Sequence, residues 1–117
     1  MSYFLNSERY WGHIEYKRNL VNMTPDKIKK YATQLQFRII EGLGKAVYII
    51  GVEDNGKIIG VNNADADNCQ NKMDLICNEI DAKIKSYQKI SLDKNLNLLI
   101  YNLSTNKDLN NMPYLFG

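Results

Sequence analysis

The chain has 117 residues, 44% of them hydrophobic, which is enough to bury one core and too few for two independent ones. No run approaches the ~20 apolar residues of a membrane-crossing helix, and Met1-Ser2-Tyr3-Phe4-Leu5 places no cationic head before a long apolar stretch. A formal net charge of +2 is too mild to identify a partner by itself, so the expectation is a cytoplasmic domain over 12–104, with an arm over 1–11, a tail over 105–117 and no membrane contact.

Tyr3, Phe4, Tyr10 and Trp11 show no period and suggest an arm that docks onto the core. From His13 to Leu20 the alternation predicts a strand, with Ile14, Tyr16 and Leu20 on one side and Glu15 and Lys17 on the other. Thr24-Pro25-Asp26 is a helix start, combining a capping oxygen, a ring suited to the first helical position and an acid at the positive end. The helix should run to Glu41, burying Ile28, Tyr31, Ala32, Leu35 and Ile39 and exposing Lys27, Lys30, Gln34 and Arg38, with Gly42 as a left-handed cap. Ala46 to Val52 is a nearly continuous apolar run and predicts a central strand covered on both faces. Asp54-Asn55-Gly56 then supplies a hairpin turn with two positive-φ positions, and Lys57 to Val61 returns as the paired strand. A second helix is expected from the polar stretch 62–68, where Asp65 and Asp67 could cap it, to about Tyr87, with Met73, Ile76, Cys77, Ile80, Ile84 and Tyr87 as its buried stripe. Leu96 to Leu103 gives a last strand. The order β-α-β-β-α-β implies an α+β, two-layer fold with a mixed four-stranded sheet and two helices on one face.

Cys69 and Cys77 have no zinc-ligand spacing and His13 is the one histidine, so the thiols read as buried and a metal site is not expected from them. Asn71-Lys72-Met73-Asp74 has the letters of a guanine-reading motif, yet no phosphate-cradling G-x-x-x-x-G-K-[S/T] loop accompanies it, and it reads as one turn of a polar-faced helix. The chain also lacks a G-x-S-x-G elbow and a dinucleotide G-x-G-x-x-G. Glu15, Glu53 and Asp54 are the alternative catalytic set, able to hold Mg²⁺ or Mn²⁺ for phosphodiester cleavage if neighbouring strands bring them together. Between 17 and 45, seven basic residues face two acidic ones, a local +5. Lys17, Arg18, Lys27, Lys30 and Arg38 are therefore the candidate RNA-binding residues, as cations that would cover phosphates.

Glu15-Tyr16-Lys17, Leu20-Val21-Asn22-x-Thr24-Pro25, Thr33-Gln34-Leu35-Gln36-Phe37-Arg38 and the run from Glu41-Gly42-x-Gly44 to Asp54-Asn55-Gly56 resemble one family over about residues 12 to 61. It is the amino-terminal domain of the translational GTPases typified by GTP-binding proteins 1 and 2, relatives of elongation factor Tu. The resemblance implies an accessory domain that contacts tRNA, the ribosome or a decay-factor partner, with GTP and Mg²⁺ held only by a GTPase domain outside this chain. A looser resemblance is to Schlafen-type AlbA-like domains, through Glu15-Tyr16-Lys17 and the hairpin frame Gly51-Val52-Glu53-Asp54-Asn55-Gly56-Lys57-Ile58-Ile59-Gly60. That likeness implies RNA binding and, in some members, metal-dependent tRNA cleavage by three carboxylates. Five positions before Glu15, where those members carry an acid, this chain has Tyr10. A protein-interaction or homodimerisation role through the sheet edges is the remaining expectation.

Overall fold

The computed structural model describes residues 4–9 and 12–107, so Tyr3, Tyr10, Trp11 and most of the predicted tail lie outside the described residues. The elements are β1 (Ile14–Lys17), α1 (Pro25–Glu41), β2 (Lys45–Ile50), α2 (Asn63–Asn78), β3 (Ala82–Asp93) and β4 (Leu96–Thr105). They form one mixed sheet in the order β1-β2-β4-β3, in which β1 and β2 are parallel and the other pairings antiparallel. The expected α+β architecture of four strands and two helices is present, but its chain order is β-α-β-α-β-β.

α1 begins as its sequence dictates. Thr24 Oγ1 accepts from the Lys27 amide at 3.2 Å, Pro25 opens the helix and Asp26 lies in the first turn. Its end differs from expectation, because Gly42 has φ −93° and the left-handed residues are Leu43 and Gly44. Gly42 is required for closeness instead: a Cβ there would lie 1.9 Å from the Lys45 carbonyl oxygen and 2.6 Å from His13 Cβ. The chain can then turn directly into β2.

Two predicted elements change identity. Residues 57–61 fold back as expected, but among the described residues they form only isolated bridges, Phe4 to Lys57, Val52 to Ile58 and Val61 to Asn97. Gly51 and Gly60 both take positive φ, and the amides of Ile59 and Gly60 converge on the Gly51 carbonyl, which ends any ladder. In the turn itself only Gly56 has positive φ, and its amide closes on Glu53 O at 2.8 Å, the arrangement of a three-residue hairpin loop. The second helix stops at Asn78 rather than Tyr87, and the chain passes through a left-handed Asp81 into β3. Ile80, Ile84 and Tyr87 have helical spacing, but Lys83-Ile84-Lys85 and Gln88 to Leu92 also alternate, and pairing with β4 selects the period of two.

The main core lies between the helices and one sheet face. Leu35, Ile39, Tyr48, Ile50, Met73, Ile76, Leu99, Tyr101 and Leu103 are buried there, each stabilising the fold by roughly 1.5–3 kcal/mol of apolar transfer. β2 shows a one-sided pattern: Ala46, Tyr48 and Ile50 are buried, whereas Val47 and Ile49 are only half covered, so the strand is not enclosed on both faces as its apolar run predicts. The outer face is covered over a small cluster of Tyr16, Val52 and Leu98, on which Leu5 and Ile58 pack. Residues 4–9 are tied down there by Leu5 N to Gly56 O and Glu8 N to Asp54 O, both 2.7 Å.

Candidate nucleic-acid interface

β1 turns its charged side toward the helices. Glu15 and Lys17 stand in register with Tyr48 and Ile50 of the core face, while Tyr16 packs on the outer face. Ile14 and Tyr16 do oppose Glu15 and Lys17, but the strand ends at Lys17 instead of Leu20, Leu20 packs in the main core on the side opposite Tyr16, and it is the polar side of the strand that is covered. What makes this tolerable is a cation delivered from α1: Arg38 Nε donates to Glu15 Oε2 at 2.6 Å. The remaining guanidinium nitrogens donate to Gly12 O at 3.2 Å and Arg9 O at 2.8 Å, with Glu8 at 3.8 Å. Lys17 Nζ lies 3.3 Å from Glu15 Oε1, donates to Gln34 Oε1 at 2.6 Å and sits 4.1 Å from the Tyr31 ring centre. Two cations thus face two carboxylates in a network between sheet and helix.

The network redistributes the candidate RNA-binding residues. Arg38 is only 4% exposed and Lys17 is largely covered, so neither belongs to an open cationic stripe. Arg18 is exposed and lies 3.9 Å from Glu53. Lys27 and Lys30 remain on the exposed side of α1 together with Lys29, and none of the three has an ion pair among the described residues. Glu8 and Gln34 belong to the network but not to the candidates the sequence suggested. The period of α1 places Gln34 on the exposed stripe, and Glu8 lies in an arm without periodicity, so no spacing signal connects either to Glu15.

The alternative carboxylate set is dispersed in role. Glu15 is committed to Arg38 and Lys17, Glu53 faces Arg18, and Asp54 is exposed in the turn. Among the described residues no group of three His, Cys, Asp or Glu side chains is arranged to hold a metal ion. A cleft of about 620 Å³ does open beside Glu8, Glu15, Gln34, Arg38 and Asp54. Burial pushes the Glu8 carboxyl above its ordinary range; the Tyr16 amide and Arg38 oppose this, and Glu15 and Asp54 reinforce it. Asn71-Lys72-Met73-Asp74 lies inside α2 with Met73 in the core. Both thiols are free and buried, with burial raising Cys69 to about 11 and Cys77 to about 12, so neither is a nucleophile near neutral pH.

The fold and the site define a small α+β domain braced by a buried ion-pair network and carrying open lysines on one helix. No protein-family profile and no solved structure matches the chain. GTP-binding protein 2 of Mus musculus and GTP-binding protein 2 of Homo sapiens are each 47% identical to it over 58 residues, 50% of this chain and 10% of theirs. An uncharacterised protein of Acanthamoeba polyphaga mimivirus is 47% identical over 51 residues, 43% of this chain and 27% of its own length. Half of the chain is therefore similar to a tenth of GTP-binding protein 2.

Proposed function

We propose that this chain is an accessory RNA- or ribosome-binding domain of a translational GTPase, with GTP and Mg²⁺ chemistry belonging to a different segment of such a protein. The partial identity to GTP-binding protein 2 supports the relation, and the lack of a phosphate loop in the 117 residues supports an accessory role. The observation that carries the reading is the contrast within α1. Arg38, the residue that could neutralise a phosphate most strongly, is spent on Glu15, yet Lys27, Lys29 and Lys30 stay exposed and unpaired among the described residues. Lysines that brace nothing in the fold are available to a polyanion.

Retention of tRNA on the immobilised chain tests this. Lys27→Gln with Lys30→Gln should weaken retention and lower the slope of log affinity against log salt by about 1.5, at 0.7–0.9 per phosphate contact. Wild-type retention by that variant, or no retention by the wild-type chain, would contradict the proposal.

A further inference from the structure

The helices cover one face of the sheet; the other, at the end where β2 begins, is open and basic. A groove of about 510 Å³ runs across it, lined by His13, Lys45, Lys85 and Asn102 among others, with no carboxylate among the described residues of its lining. The register places one more cation beside it. Lys45 of β2 and Lys83 of β3 both pair with Ser104 of β4, so the row across the three strands reads Lys45, Ser104, Lys83. Leu99, Tyr101 and Leu103 point into the core, which puts Ser104 and the lysines paired with it on the outer face, the two lysine Cα atoms about 10 Å apart at two strand spacings. Lys85 occupies the β-bulge between Ile84 and Ser86, the next row along.

One observation shows that this arrangement is not consumed by the fold. His13, Lys45, Lys83 and Lys85 are exposed, and none of them takes part in an ion pair among the described residues.

We infer that this face binds the phosphate backbone of a single-stranded RNA, with the exposed Lys45, Lys83 and Lys85 neutralising phosphates. A single strand fits better than a duplex. The exposed His13 ring and the half-buried Val47 can meet unstacked bases, which a duplex keeps paired and stacked inside. The inference rests on the RNA-binding reading above and adds a second surface, on the side opposite α1.

The test uses the full chain and a fluorescent oligouridylate. The variant Lys45→Gln/Lys83→Gln/Lys85→Gln should lose about tenfold or more in affinity and lower the salt slope by about 2, at 0.7 per phosphate for single strands. Arginine at the same three positions should restore binding, which separates lost charge from a disturbed sheet. Wild-type affinity in the glutamine variant overturns the inference; if Lys27→Gln with Lys30→Gln still weakens tRNA retention, the broader reading stands. Failure of the wild-type chain to bind either RNA overturns both.

Discussion

Arg38 shows how one side chain can look like a surface cation and act as a brace. On a helical wheel it falls beside Lys27 and Lys30, but it follows Leu35 by three and precedes Ile39 by one, at the border of the apolar stripe. Which side of that border it takes depends on Glu15, 23 positions earlier, so α1 periodicity alone could not place it. The exposed lysines were legible because nothing long-range competes for them. Arg38→Ala would leave Glu15 with Lys17 alone and strip donors from the Gly12 and Arg9 carbonyls. Urea denaturation should register a loss of about 3–5 kcal/mol, and Arg38→Lys should recover little because an ammonium cannot reproduce the fork. Lys27→Gln should change stability by no more than about 0.5 kcal/mol. Glu8 gives the site a pH signature. Its folded pKa lies above the ordinary 4.5, so the folded state holds the proton more tightly than the unfolded chain. Its stabilising contribution is complete below that value and is lost as pH rises through the folded pKa. Glu8→Gln should therefore flatten the fall in stability on the alkaline side of pH 4.5, and an unchanged pH profile would contradict this role.

At the scale of elements, local chemistry located α1, β2, β4 and the 53–57 turn, because caps, β-branched runs and turn residues act over a few positions. It did not locate β3. Ala82 to Asp93 carries mostly exposed side chains, and only the long antiparallel pairing with β4 makes it a strand. The 57–61 segment fails in the opposite sense: its residues favour a strand, but the glycines at its ends bend it away after single bridges. The arm is the other long-range element. Gly56 has φ +91° and a Cβ there would lie 2.1 Å from the Leu5 carbonyl oxygen, so Gly56→Ala should push residues 4–9 off the turn. Hydrogen exchange should show the Leu5 and Glu8 amides losing protection, with a stability cost of about 1–3 kcal/mol. Retained protection at both amides would mean that the turn does not hold the arm.

At the scale of the molecule, the helices and the sheet set two exposed groups of lysines apart from one closed network of charge. The closed region is the network around Arg38, which joins arm, β1 and α1. The accessible regions are the Lys27 to Lys30 side of α1 and the Lys45, Lys83 and Lys85 end of the open sheet face. Lysines along β3 also blunt a long edge strand against pairing with another copy, so charge placement and solubility coincide there. The claim that joins these observations is that the exposed lysines serve a polyanion. It is tested most directly by titrating tRNA against the intact chain at several salt concentrations. The account predicts tight binding at low salt and a linear fall of log affinity with log salt, with a slope of magnitude about 2 or more from at least three phosphate contacts. Affinity that is absent at low salt, or independent of salt, would contradict it.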